Sequence, residues 1–350
     1  MALLFIDGFD HYASADIPKK YQSLTASGSF LTALSIRPTG GRRGGGCLRI
    51  LDYIYGSAGF TIPTTSHIVV GAAISRWASG GLTIFTLAGP GGTRAAYLNY
   101  SNGRFTILNS NQAIIGTSSL VTTFGFDIWN YIEWKMLISD SIPANSCVVR
   151  VNGVEVLNLP AGTDTRFAVA SPTTFEVVRI GSPSDSAYSQ YMDVDDFYVC
   201  DTTGLINNNF LGDVRIDTLL PNADGTYNDG VPSTGTTSWN ILDNVPATTS
   251  SYVTVTNVGE KETLQFTNLQ AISTQTIHAV KVNYNSAKSD SGLVFGAAVA
   301  VSGATVGEAT SATLATSYSA QSGTFLTDPA TGSAWTESAV NSAEFGIIVK

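Results

Sequence analysis

From residue 131 to 138 the chain reads Tyr-Ile-Glu-Trp-Lys-Met-Leu-Ile, with Ile132, Trp134, Met136 and Ile138 in one phase and Glu133 and Lys135 in the other. Such alternation sends one set of side chains into a core and the other toward water, as in a half-buried antiparallel strand. The two-residue period returns throughout the chain, and a helix cannot satisfy it. Directly afterwards, Val148–Leu159 carries Asn152-Gly153 at its centre. That pair tolerates the positive φ angles of a type I′ turn and predicts a hairpin. Asn102-Gly103 does the same between residues 95–100 and 104–108. Further strands are expected at 30–36, 47–51, 67–76, 82–87 and 174–180. No segment of residues 1–203 carries the i, i+3, i+4 apolar stripe of a capped amphipathic helix. Many short strands at near-regular spacing predict an all-β sandwich.

At 350 residues the chain is too long for one ordinary sandwich core. The polar joint Asp201-Thr202-Thr203-Gly204, followed by Asn207-Asn208-Asn209, places a boundary there. The expected fold is all-β, with two β-sandwich (jelly-roll-like) domains in tandem over residues 1–203 and 204–350. The second half is expected to hold strands at 213–219, 252–256, 276–284, 293–301 and 345–349. A loop should fill 221–239, and a short helix should run over 336–343 with Thr336 as its cap.

Only 13 % of residues are charged, about half the usual share, while 43 % are hydrophobic. A surface so poor in Lys and Glu suits broad contacts between subunits. The net charge of −9 is uneven. Residues 1–203 hold 13 basic against 15 acidic side chains, and residues 204–350 hold 5 against 12. Phosphate backbones demand a basic face, so nucleic acid is not an expected partner. Cys47, Cys147 and Cys200 lack CxxC spacing and read as buried small hydrophobes. The start lacks a basic n-region, which predicts no secretory signal. The longest apolar stretch, 292–304, is short of the ~20 residues of a membrane helix and predicts no membrane insertion.

Several side-chain groups are candidate sites. Asp193, Asp195 and Asp196, with Asp201 and Asp7 or Asp10, offer carboxylate oxygens to calcium; the plainer reading has them flanking edge strands and accepting backbone N–H bonds. Trp77, Tyr97, Tyr100, Trp129 and Tyr131 offer aromatic faces to sugar rings, against a plainer role in core or rim packing. The run Gly40-Gly41-Arg42-Arg43-Gly44-Gly45-Gly46 lacks the Gly-Lys-Ser/Thr of a phosphate loop and reads as a mobile loop, with Arg42 and Arg43 free for an interface. His11, His67 and His278 are scattered and read as structural.

Three stretches resemble virion structural proteins of tailed bacteriophages: residues 3–12 (Leu-Leu-Phe-Ile-Asp-Gly-Phe-Asp-His-Tyr); residues 195–201 (Asp-Asp-Phe-Tyr-Val-Cys-Asp) with 210–215 (Phe-Leu-Gly-Asp-Val-Arg); and residues 328–336 (Asp-Pro-Ala-Thr-Gly-Ser-Ala-Trp-Thr) with Val340-Asn341 and Glu344-Phe345-Gly346. The resemblance implies a concanavalin A-like lectin/glucanase domain followed by a β-rich module that serves as virion anchor or exposed tip. It implies a non-enzymatic tail, fibre or baseplate subunit, folded in the host cytoplasm and located in the virion. Its expected partners are other virion proteins, further copies of itself (a trimer favoured) and a cell-surface glycan. No cofactor beyond the calcium noted above is expected. A capsid decoration or head-fibre protein and a free lectin are the alternatives. The two spaced acids that glycosidases on this scaffold require are absent as a motif, since Glu133 stands alone and Asp193 with Asp195 is read on the closing strand.

Overall fold

The computed structural model describes residues 3–25, 33–51, 56–77, 80–166, 171–182, 191–270 and 276–350. The chain is all-β, two sandwiches in tandem, and separates into the units Met1–Ile216 and Asp217–Lys350. Residues 204–216, assigned on the sequence to the second module, group with the first.

In chain order the strands of the first unit are β1 (Leu3–Asp7), β2 (Ser23–Thr25), β3 (Leu34–Arg37), β4 (Cys47–Leu51), β5 (Ser57–Thr65), β6 (His67–Arg76), β7 (Leu82–Ala88), β8 (Arg94–Ser101), β9 (Arg104–Asn109), β10 (Ile114–Thr117), β11 (Asn130–Leu137), β12 (Val148–Val151), β13 (Val154–Asn158), β14 (Phe175–Gly181) and β15 (Tyr191–Asp201). They form two antiparallel sheets. The first runs β13-β12-β11-β6-β15-β4-β3 with β1 also on β15, and the second runs β10-β9-β8-β7-β14-β5-β2. The opening and closing strands pair directly, Phe5 opposite Val199 and Asp7 opposite Phe197. Strand β15 was expected at an edge; it lies inside the first sheet, between β6 and β4. The predicted hairpin turn is present, with Asn152 at φ 50° and Gly153 at φ 79°. Ile132, Trp134 and Met136 are buried in one core with Ile68, Val70, Ile74, Phe85, Leu98 and Ile107. The expected 30–36 strand falls partly outside the described residues, and its described part is β3.

The second unit holds β16 (Pro221–Asn228), β17 (Val231–Pro232), β18 (Val253–Thr254), β19 (Lys261–Phe266), β20 (Val280–Ser286), β21 (Phe295–Ser302), β22 (Thr305–Glu308), β23 (Ala312–Thr313), β24 (Ser319–Phe325) and β25 (Glu344–Val349). Its main sheet runs β16-β19-β25-β21-β22, with β23 on β21. The β20–β24 ribbon contributes Val280, Val282 and Phe325 to the cluster around Ala298, Ala300, Trp335 and Phe345. Thr336 caps the helix Glu337–Ser342, its Oγ1 accepting from the Ala339 N–H at 3.1 Å. Two expectations fail here. Pro221–Asn228 is a strand, its polar text hiding an irregular pairing to β19. Residues 213–219 form no strand, because Asp213 and the Ile216 N–H are tied to the first unit.

The core of the first unit depends on a break in phase within β15. Opposite β6, Asp195 pairs with Ala73 and Tyr198 with Gly71, so two residues of β15 face one of β6. Asp196 takes φ 50° at this bulge. The inward set changes from Met192 and Val194 to Phe197 and Val199. Phe197 thereby enters an aromatic cluster spanning both sheets, with centroids 5.9 Å from Phe5 and Phe60 and 6.4 Å from Phe85. Phe197→Ala should destabilise the first unit by about 3–5 kcal/mol, read as an earlier urea transition. Val154→Ala, at an exposed strand position, should stay within about 0.5 kcal/mol of the parent. Equal effects of the two substitutions would contradict this packing.

Candidate functional site

The bulge also decides the chemistry of the outer face of the first sheet, because it sets the Asp195 and Asp196 carboxylates side by side. In the next row Glu133, Gly71 and Tyr198 are cross-strand neighbours. A methyl group at Gly71 would overlap the Tyr198 ring. Only a glycine there lets that ring cross β6, so that its hydroxyl donates to Glu133 Oε1 at 2.6 Å. Tyr131 stacks 6.4 Å from Tyr198 and donates to the Asp196 carbonyl at 2.8 Å. Burial raises both phenol pKa values well above the ordinary value.

Residues 210–216 lie across this row as a strap. The Leu211 N–H donates to the Tyr198 hydroxyl at 3.1 Å, the Gly212 N–H to Glu133 Oε1 at 2.9 Å and the Ile216 N–H to Asp196 Oδ1 at 2.8 Å. Phe210 packs under the Arg150 guanidinium, 4.2 Å from its ring centroid, and the Lys135 ammonium at 4.9 Å. Arg42 closes the other side. Its guanidinium pairs with both oxygens of Asp213 and lies 3.6 Å from Asp196 Oδ2, while its N–H donates to Asp195 Oδ2 at 2.8 Å.

The glycine run that carries Arg42 is a closed turn rather than a mobile loop. The Gly41 N–H donates to the Gly45 carbonyl at 2.8 Å, and the Gly46 N–H to Asp10 Oδ1 at 2.5 Å. A side chain at Gly46 would strike the Phe9 carbonyl. Arg42 is spent inside the fold, and Arg43 is exposed.

Asp193 sits at one end of the same face and is almost fully buried. It accepts from Arg49 Nε at 2.7 Å and Nη2 at 2.9 Å, from Arg37 Nη1 at 2.6 Å and from Trp77 Nε1 at 2.8 Å. Arg49 also lies over Trp77 and Tyr191, 5.0 and 4.8 Å from their centroids. Two guanidiniums thus stand where a cation would. Among the described residues no group of three or more His, Cys, Asp or Glu side chains is arranged to hold a metal.

The aromatic candidates do not converge. Trp77 and Trp129 are half-buried, the first on the face just described and the second after the exposed Phe126 and Ile128. Tyr100 belongs to the core, its ring 5.0 Å from Phe105, 4.7 Å from Phe124 and 4.8 Å from Arg76, so its faces are covered by protein. Tyr97 lies on the outer side of the second sheet, in the cross-strand row Gly59–Arg179–Thr86–Tyr97. The sequence reading passed over Arg179, although it interrupts the apolar run from Val177 to Ile180. The histidines are dispersed. Lys20 Nζ lies 2.8 Å from His11 Nε2, and burial lowers the pKa of His67 to about 4 and also lowers that of His278.

No protein-family model matches the sequence, and no curated protein is similar to it. Among solved structures, the carbohydrate-binding module CBM66 of Bacillus subtilis is 7 % identical, with 52 % of this chain and 98 % of that chain covered and a TM-score of 0.34. A tetrameric galectin from the ball sponge Cinachyrella is 8 % identical, with 41 % and 99 % covered and a TM-score of 0.30. A Trypanosoma rangeli sialidase is 13 % identical, with 48 % of this chain covered and a TM-score of 0.31; the match spans 27 % of the sialidase. These are distant likenesses and say nothing of chemistry.

Burial, then mutual repulsion, pushes the Asp195 carboxyl up to about 8, and burial pushes Asp196 up to about 6. In the unfolded chain both return to about 4. Between about pH 4 and pH 8 the folded pair therefore holds more protons than the unfolded chain. Its contribution to stability is fully present below that window and is lost as pH rises through it. Asp195→Asn removes one of the two titrations. The melting temperature of the parent should fall more steeply from pH 5 to pH 8 than that of the variant, and parallel curves would refute the assignment.

Proposed function

We propose that this protein is a non-catalytic structural subunit of a tailed-bacteriophage particle, belonging to the tail, a fibre or the baseplate, whose first sandwich contacts a cell-surface glycan. The observation that carries the non-catalytic part is the fate of the acids on the outer face of the first sheet. Glycoside hydrolysis requires two carboxyl groups flanking a bond in an open site. Here Glu133 and Asp196 are tied to the strap, Asp195 to the backbone of Arg42, and Asp193 to two arginines and a tryptophan. That arrangement uses carboxylates to hold polypeptide together.

The virion part rests on the three sequence stretches, and two of them fall on this same assembly. Residues 3–12 contain β1 and Asp10, whose Oδ1 accepts from the Gly46 N–H of the turn that carries Arg42. Residues 195–201 and 210–215 form the bulge and the strap. A low-charge surface supports self-association, with a trimer as the favoured state and neighbouring virion proteins as further partners. No described helix is long and apolar enough to cross a membrane.

The test is quantitative mass spectrometry of gradient-purified particles, combined with gold-labelled antibody against this chain. The expected result is a fixed copy number per particle with label on the tail. Recovery of the chain only in the particle-free lysate fraction would overturn the proposal.

A further inference from the structure

On the outer face of the second sheet, among the described residues, a buried cation has no carboxylate beside it. Arg179 lies on β14 between Val178 and Ile180, which point into the core. Its side chain crosses β5 at Gly59, where a Cβ would crowd the Arg179 Cγ, and Nε donates to Ser23 Oγ at 3.1 Å. Only 7 % of the residue is exposed, and Nη1 is buried with no hydrogen-bond partner among the described residues. Among the described residues no carboxylate pairs with it. A guanidinium stays charged in a protein, and leaving it buried and uncompensated is costly.

The neighbours of Arg179 act in opposite directions. Burial lowers its proton affinity most, Tyr97 beside it raises it, and the nearby Arg94 lowers it. A second cation thus lies near the first in a chain whose net charge is −9. Two further polar atoms on this face also lack partners, Asn99 Oδ1 on β8 and Ser57 Oγ on β5. Ser57, fully buried, lies opposite Gly181, one strand from Arg179, and Asn99 lies two strands across and two residues along, about 12 Å away by the spacing of strands and residues. Nη2 of Arg179 lies near Gly92, beside the exposed Gly91 and Thr93, which gives an approach from solvent.

A cation with no anion among the described residues, and a neutral amide about 12 Å away, match one kind of ligand. We infer that the outer face of the second sheet, around Arg179 and Arg94, binds an acidic saccharide, with the guanidinium of Arg179 taking a carboxylate or sulfate group and the half-buried Asn99 meeting a sugar hydroxyl. A planar guanidinium suits either anion through paired N–H bonds. This assignment rests on the glycan-contact part of the proposed function and names the chemistry of that glycan.

The experiment is calorimetric titration of the full chain with four probes: oligogalacturonate (carboxylate), a sulfated oligosaccharide, a neutral glucan oligosaccharide and sodium sulfate. One or both acidic saccharides should bind at least tenfold more tightly than the neutral glucan or sulfate alone, and more weakly as salt rises. The stronger of the two identifies the anion. Arg179→Gln should cost at least tenfold for the acidic probe, and Arg94→Gln several-fold. Arg179→Met serves as the control for folding: removing an uncompensated buried charge should leave the melting temperature unchanged or raised. Undiminished binding of the acidic probe by Arg179→Gln would overturn the inference. So would sulfate alone binding as tightly as any saccharide, or a large drop in melting temperature for Arg179→Met. Neutral sugar bound as tightly as acidic sugar would overturn it while leaving the glycan-contact reading standing. Failure of every saccharide on a wider glycan array would remove both.

Discussion

The single extra residue in β15 governs the first unit. A strand that kept a strict two-residue period past Asp195 would turn Phe197 and Val199 toward solvent and Tyr198 into the core. The bulge at Asp196 reverses that phase, and both faces of the sheet depend on it. Inside, Phe197 reaches the rings of Phe5, Phe60 and Phe85. Outside, Tyr198 reaches Glu133 over Gly71, and two carboxylates are left adjacent beneath Arg42. Burial of that acidic pair is offset locally, by the Arg42 guanidinium and by backbone N–H groups from the strap and the glycine turn.

Where the physics is local, the sequence revealed it. Alternation placed β6, β7, β11, β14 and β21 to within a residue or two, Asn-Gly pairs placed two turns, and Thr336 ahead of Glu337 placed a helix. Where alternation is weak, strands were missed. In Lys261–Phe266 three consecutive residues are buried, and Ser57–Thr65 carries a glycine and a proline. Residues 213–219 show the converse error. Their alternation is real, but Asp213 is used to grip Arg42 and the Ile216 N–H to reach Asp196, which draws the segment out of any sheet.

The candidate sites were less legible because their members are far apart in the chain. Arg42 and Asp213 are separated by 171 positions and Glu133 and Tyr198 by 65, and no local spacing connects either pair. Residue type left Asp193, Asp195 and Asp196 open between calcium ligands and acceptors of backbone N–H bonds, and Tyr100 open between a sugar platform and core packing. The fold gives those acids arginine and N–H partners and puts Tyr100 in the core. The one signal of Arg179 is its interruption of the apolar run from Val177 to Ile180, and one cation in an apolar strand reads as a solvated interruption until its neighbours are known.

The pairing of β1 with β15 has a consequence for how the protein is made. Leu3 finds its neighbour at Cys200, and the strap that covers their sheet ends at residue 216. Nearly two hundred residues must therefore follow β1 before the strand it pairs with is present. Contacts this remote in sequence favour slow closure, and until then Leu3, Phe5 and the unpaired edge of β15 remain open to other chains. Wherever many copies are made at once, those segments have to be held apart until each molecule can shut.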